Sequence, residues 1–201
     1  MTKGRLEAFT DGVIAILITI MVLELKVPEG TDWGSLRHLI PVFLTYVLSW
    51  IFLGIYWNNH HHLFHACGRI NGKVLWANLH LLFWLSLVPF TTGWMGENHF
   101  AALPTAVYGF VLLMAAVAYT ILQNILVAAQ GPGSRLAEAL GGDTKGKLSL
   151  ALYMAAIPLA FVNEWIADAL YAAVALIWLV PDRRVERTLV ARRSPATPAD
   201  D

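Results

Sequence analysis

RLEAFTDGVIAILITIMVLEL, residues Arg5–Leu25, is the stretch that decides the fold. It carries no charge from Gly12 to Leu23, which is typical of a helix that crosses a lipid bilayer. Asp11 stands at the edge of this apolar run, where a carboxylate is costly to desolvate and requires polar partners. The stretch therefore predicts a membrane helix with a polar anchor near its first turns.

Three aliphatic side chains and one hydroxyl fall on one side of this helix when residues are placed about 100° apart. This aliphatic stripe consists of Ile16, Thr19, Ile20 and Leu23, and Asp11 falls nearly on the opposite face. Packing against another helix, or contact with lipid, would explain such a stripe. Alternatively, several copies of the stripe meet around an axis and form a narrow hydrophobic pore, in which Thr19 offers its hydroxyl to an ion.

The composition indicates a membrane protein. Hydrophobic residues make up 57% of the 201 residues and charged residues only 14%, whereas charge in soluble domains is near a quarter. The formal net charge is zero, and we expect no nucleic-acid partner. The lone cysteine, Cys67, excludes an intramolecular disulfide. No cleavable signal peptide is expected, because the first apolar run continues into Glu24 and Lys26.

Six apolar segments have about the length that a bilayer crossing needs. Pro89 is expected to kink the third segment, and a tight turn at Asn163 and Glu164 is expected to separate the last two. We predict a single six-helix transmembrane domain over residues 1–188 and a disordered cytoplasmic tail over residues 189–201. The segments cover residues 5–25, 36–64, 74–94, 101–128 and two parts of 148–180.

The distribution of positive charge predicts the orientation of these segments. With the N-terminus inside, twelve of the fourteen Lys and Arg residues fall in inside regions, and only Lys26 and Arg37 fall outside. Cytoplasmic loops carry such an excess of positive charge, so both termini are expected in the cytoplasm. An even number of crossings follows, which supports the turn at Asn163.

The motif Arg5-x-x-x-Phe9-Thr10-Asp11 resembles the arginine–phenylalanine–serine–aspartate signature of the lysosomal-type potassium channel family (the transmembrane protein 175 family), in its bacterial branch. Thr10 stands where the family usually has serine, which is also a small hydroxyl residue. Residues 54–62, 75–84 and 175–182 are similar to bacterial members as well, so the resemblance extends over residues 4–188.

The resemblance implies an all-α, polytopic membrane protein that forms a homotetramer, with six transmembrane helices per subunit and the first helix lining the pore. It implies a potassium-permeable cation channel of the plasma membrane, with a constriction formed by Ile16, Ile20 and Leu23 and with Thr19 between them. Potassium ions, the bilayer and identical subunits are the expected partners, and no cofactor is expected. A network is expected to tie the first helix to its neighbours through Arg5, Phe9, Thr10, Asp11, Trp57, Asn58 and His61.

Two other interpretations of the polar residues stay open. Asp11 and the membrane histidines would serve a proton-coupled secondary transporter as a proton relay. His61 and His65 have the i,i+4 spacing that can chelate zinc, although no metal site is expected, because no carboxylate completes the set locally. Paired catalytic carboxylates, nucleophile elbows and phosphate-binding glycine loops are absent from the sequence, so we expect no enzyme.

Overall fold

The computed structural model describes residues 2–68, 70–131, 134, 136–137 and 143–179. All elements whose bounds it gives are helices, as the all-α prediction requires. The predicted tail lies outside the described residues, as do Arg69, Arg135 and the basic residues after residue 179 that contributed to the predicted orientation.

The first membrane helix, α1, covers Lys3–Met21 and continues as a short 3-10 helix over Val22–Glu24. A short helix, α2, follows at Trp33–Arg37. Asp32 caps α2 by accepting hydrogen bonds from the Ser35 backbone N–H at 2.8 Å and from its hydroxyl at 2.9 Å. These hydrogen bonds favour the ionised carboxylate and so lower the pKa of Asp32.

The second segment forms one long helix, α3, over Ile40–His65. The third segment forms two helices, α4 over Gly72–Ser86 and α5 over Val88–Glu97, where the sequence suggested one kinked helix. Pro89 lies in the first turn of α5 and has no N–H to donate backward, so the α-helical ladder is interrupted here. The Leu87 N–H instead bonds the Trp84 carbonyl, one residue closer than in an α-helix.

Three helices complete the described chain: α6 over Ala102–Gln130, α7 over Thr144–Leu159 and α8 over Glu164–Leu179. The predicted turn between the last two is present at residues 160–163, where the Asn163 side chain accepts a hydrogen bond from the Trp165 N–H. Among the described residues, four segments are long and apolar enough to cross a membrane, namely α1 with its 3-10 extension, α3, α4 with α5, and α6. Helices α7 and α8 have 16 residues each.

Helix α6 lies at the centre and contacts α4, α5, α7 and α8, while α1 packs on α3, α4 and α5. Two apolar cores result. The first core joins α1, α3, α4 and α6, and its fully buried side chains include Ile14, Leu53, Phe64, Leu81 and Leu122. The second core joins α3, α5, α6, α7 and α8, and its buried side chains include Phe52, Met95, Tyr108, Tyr153 and Tyr171.

Candidate functional site

The aliphatic stripe of α1 stays outside both cores. Ile16 is 57% exposed, Ile20 42% and Leu23 77%, whereas Ile14 and Leu17 on the other side of the helix are buried. Burial of apolar side chains is the main favourable term in packing, so an exposed aliphatic row on a well-packed helix needs a partner outside the subunit. In this protein that partner is lipid, another copy of the chain or a pore.

The one hydroxyl in the stripe is oriented by its own helix. Thr19 Oγ1 lies 3.0 Å from the Ala15 carbonyl oxygen and 3.0 Å from the Ile16 carbonyl oxygen. Its hydroxyl hydrogen is shared between these two acceptors. Because the hydroxyl hydrogen is used in this way, the lone pairs of the oxygen remain available on the exposed side of the helix. The side chain therefore offers an acceptor to a cation and no donor.

A buried hydrogen-bond chain anchors α1 on the side away from the stripe. His60 Nε2 on α3 donates to the side-chain oxygen of Asn78, Oδ1, on α4 at 2.8 Å, and the side-chain nitrogen of Asn78, Nδ2, donates to the Thr10 hydroxyl on α1 at 2.8 Å. Thr10 and Asn78 are fully buried and His60 is 1% exposed. We call Thr10, Asn78 and His60 the amide–imidazole chain. The side-chain oxygen of Asn78 can only accept and its nitrogen can only donate. The amide–imidazole chain therefore fixes how α1 is rotated against α3 and α4.

A second link joins α1 to α3 through Asp11, the residue that follows Thr10. Trp57 Nε1 donates to the Asp11 carboxylate at 3.0 Å, and the Trp57 ring stacks on the His61 ring with 6.3 Å between centroids. Asp11, Trp57 and His61 are all exposed in the single subunit. This link covers one carboxylate oxygen and leaves the carboxylate reachable from outside the subunit.

The other residues of the predicted network are not joined to it within one subunit. Arg5, Phe9 and Asn58 are exposed, and no hydrogen bond or ion pair connects the side chains of Arg5 or Asn58 to another described residue. The roles of Arg5, Phe9 and Asn58 in the network stay predictions. A second copy of the chain would cover surfaces that one subunit leaves exposed. The predicted network did not include His60 and Asn78. Both are polar residues inside apolar segments, and this was the signal that the sequence offered.

His61 and His65, the pair considered for zinc, stack on each other with ring centroids 6.2 Å apart. Within the described part of the chain no group of three or more His, Cys, Asp or Glu side chains is arranged to hold a metal ion. The geometry of the pair is that of stacked aromatic rings.

An ion pair links the end of the α1 segment to α5. Lys26 Nζ lies 2.6 Å from the Glu97 carboxylate, and both side chains are exposed. The hydrogen bond and the charge of Glu97 raise the pKa of Lys26. The Glu24 carboxylate lies against Gly93 of α5, where an added Cβ would come within 3.0 Å of it. Glu24 and the ion pair of Lys26 with Glu97 therefore lie at this end of the α1 segment.

The fold and site define a class: a helical, multi-pass membrane protein whose first helix is held by buried polar bonds and keeps an aliphatic stripe outside the subunit core. The sequence model of one family, described as the endosomal/lysosomal potassium channel TMEM175, matches residues 5–89. A protein of Chryseobacterium sp. named a potassium channel is 56% identical over 189 residues, which are 94% of this chain and 98% of that protein.

A second relative, from Streptomyces collinus and also named a potassium channel, is 37% identical over 131 residues, which are 60% of this chain and 62% of that protein. Among solved structures, a lysosomal potassium-selective channel TMEM175 homolog from Chamaesiphon minutus superposes with a TM-score of 0.79. The two chains are 28% identical, and the alignment covers 89% of this chain and 96% of the other. The chain belongs to the TMEM175 family of ion channels, as its first-helix motif predicted.

Proposed function

We propose that the chain is the subunit of a potassium-permeable cation channel in which the first helices of four identical subunits surround the pore. One observation carries the proposal: Ile16, Ile20 and Leu23 remain exposed on a helix whose opposite side is packed and hydrogen-bonded. A single stripe cannot enclose a pore, so several copies must supply the walls. The names of the relatives and the fold likeness support the choice of potassium and of a channel.

The constriction is hydrophobic and short. Ile16 and Leu23 are seven residues apart, which is about 10 Å along a helix axis. A narrow aliphatic neck of this length blocks ions because water leaves it before the side chains touch, and widening it restores water and conduction. Thr19 supplies one ring of acceptor oxygens within the neck. The sequence contains no TVGYG segment, so a carbonyl filter of that kind does not provide the selectivity.

We further propose a plasma-membrane location with both termini in the cytoplasm and with α7 and α8 completing six crossings per subunit. The even number of crossings fits the positive charges of the sequence, which concentrate on one side. Glu24, near the outer end of the stripe, would then concentrate cations at the entrance only modestly, because exposed charges are screened by salt and the charge of Glu97 is paired with Lys26.

The decisive experiment measures potassium flux into liposomes that contain the purified protein. Ile16→Asn, Ile20→Asn and Leu23→Asn are each expected to raise the flux several-fold, because an amide in the neck keeps water in place. Leu176→Asn is the matched control: Leu176 is 64% exposed on α8, away from the stripe, and its substitution is expected to leave the flux unchanged.

Unchanged flux in all three stripe variants would contradict the pore assignment. Saturable flux that requires a proton gradient, in place of ohmic single-channel steps in a planar bilayer, would instead favour the transporter that uses Asp11 and the histidines. Light scattering of the purified protein should give a mass of four subunits, and a monomer with full flux would contradict the shared pore.

A further inference from the structure

Asp168, on α8, has a buried carboxyl group without a partner. Both of its side-chain oxygens are buried, and neither makes a hydrogen bond to any described residue. The residue lies in the fifth position of α8, close to its N-terminal end, and its neighbours Ala167 and Tyr171 are fully buried in the second core. Helix α8 packs on α3, α6 and α7, whereas the aliphatic stripe is on α1.

None of the described groups that interact electrostatically with the Asp168 carboxyl group carries a positive charge. Glu164 and Tyr171 are its titratable neighbours on α8, and Tyr108 faces it from α6. Helix α7 contributes Tyr153, whose ring lies 6.2 Å from that of Tyr171.

Helices α3 and α6 contain no Lys or Arg. The lysines of α7 lie in its first turn. There Lys145 donates to the Ile177 carbonyl, nine residues or about 13 Å along α8 from Asp168. Ser49 of α3 and Thr92 of α5 form a hydroxyl cluster with Tyr108: Ser49 Oγ lies 2.6 Å from Thr92 Oγ1 and 3.0 Å from the Tyr108 hydroxyl.

An ionised carboxylate is poorly tolerated in this position. Burial without a hydrogen bond or counter-charge is far more costly for a charged carboxylate than for a neutral carboxylic acid. The oxygens are covered by the subunit's own atoms, so in this conformation lipid, bulk water, a metal ion or a neighbouring subunit does not contact them. The proton is the one ligand that fits the carboxyl group as it is placed here.

We propose that the Asp168 carboxyl group is a proton-binding site inside the subunit, separate from the aliphatic stripe. The packed arrangement of α8 on α6 is the protonated state of this site. Release of the proton leaves a charge that must gain water or a cation, so it requires the N-terminal end of α8 to separate from α6. The site thereby links the proton concentration on the side of the membrane where α8 begins to the packing of the second core.

The contacts around the site explain why such a separation would be a discrete event. The Tyr171 ring fills a notch at Gly109 of α6, and its hydroxyl donates to the Thr105 carbonyl at 3.2 Å. Close-packed interfaces of this kind move between distinct arrangements and do not deform gradually. Ionisation of Asp168 one turn away is expected to weaken this contact first.

Infrared spectroscopy of the purified full-length protein in lipid tests the proposal independently of ion conduction. At a pH of about 7, where exposed carboxylates are ionised, the wild type should show the carbonyl band of a protonated carboxylic acid. The band should persist in Glu164→Gln, the matched control one turn earlier on α8, and should be lost in Asp168→Asn. No such band in the wild type, or an unchanged band in Asp168→Asn, would overturn the proposal.

A wild-type measurement keeps the proposal testable if Asp168→Asn does not fold. Protein labelled with ¹³C at the aspartate carboxyl carbon should show the band shifted to lower frequency, because the proton is on an aspartate. The other described aspartates accept hydrogen bonds: Asp11 from Trp57, Asp32 from Ser35 and Asp143 from Gly146. A band that does not shift with the label would show that the protonated acid is a glutamate and would overturn the assignment.

Discussion

The subunit contains two buried polar clusters that differ in chemistry and in what they control. The amide–imidazole chain of Thr10, Asn78 and His60 joins α1 to α4 and α3 through atoms with fixed donor and acceptor roles. The hydroxyl cluster of Ser49, Thr92 and Tyr108 joins α3, α5 and α6 through groups that rotate and exchange roles. The first cluster therefore sets the orientation of the stripe-bearing helix, and the second tolerates adjustment beside an unpartnered carboxyl group.

The largest expected effect comes from removing the centre of the amide–imidazole chain. Asn78→Leu leaves the Thr10 hydroxyl and the His60 ring buried without this partner, and each stranded group costs about 1–3 kcal/mol. Because side-chain hydrogen bonds between membrane helices average nearer 0.6 kcal/mol, we expect a loss of roughly 2–3 kcal/mol in the free energy of unfolding. Denaturant unfolding in mixed micelles measures this loss of unfolding free energy.

Asn59→Leu is the matched control for this variant. Asn59 is half-buried on α3 and makes no hydrogen bond to a described residue, so its change should stay within roughly 0.5 kcal/mol. Equal losses in the two variants would show that the hydrogen-bond chain is not what anchors α1.

The next effect tests packing in the second core. Gly109→Ala places a Cβ where the Tyr171 hydroxyl and ring lie, so α6 and α8 must separate. Overpacking of this kind destabilises by about 1–3 kcal/mol, and thermal unfolding followed by circular dichroism measures it. In contrast, Gly54→Ala on α3 meets no atom within contact distance, and a helical Gly→Ala change there should stabilise by about 0.5–1 kcal/mol. Stabilisation by both variants would mean that the Gly109 notch does not hold Tyr171.

The smallest effect is expected in the hydroxyl cluster itself. Ser49→Ala removes the described partner of the Tyr108 hydroxyl, whereas Thr92 keeps a 2.7 Å bond to the Val88 carbonyl. Since Tyr108 can rotate its hydroxyl, we expect a loss of about 0.5–1.5 kcal/mol in the same denaturant assay. A loss as large as that of Asn78→Leu would remove the distinction between the two clusters.

The helices could be predicted from the sequence because long apolar runs separated by polar linkers have few alternatives in a bilayer. The turn before α8 was predicted at Asn163 because residues 148–180 are too short for two crossings with a longer linker, and the structure has it there. The third segment was predicted in outline. Pro89 indicated a kink, and the single apolar span Gly72–Glu97 is interrupted at Leu87; whether a proline bends or interrupts a helix depends on how the neighbouring turns pack.

The candidate site was predicted in part. The motif that ends in Thr10 and Asp11 predicted polar bonds from α1 to its neighbours, and in the structure Thr10 accepts from Asn78 and Asp11 accepts from Trp57. Asn78 and His60 were missed because they lie 18 residues apart on different helices, and only the packing of α3 on α4 brings them together. Asp168 gave no signal in the sequence, since an aspartate near a helix start is usually exposed.

By itself the sequence determined the apolar, helical nature of the segments, the family, and the stripe formed by Ile16, Thr19, Ile20 and Leu23, because helical periodicity and hydrophobicity are local properties of the chain. Only the tertiary structure decided which side of α1 is packed, which buried polar atoms meet, and that the Asp168 oxygens make no hydrogen bond to a described residue. These features depend on contacts between residues far apart in the sequence, and the free energy of a buried polar group is set by the atoms around it.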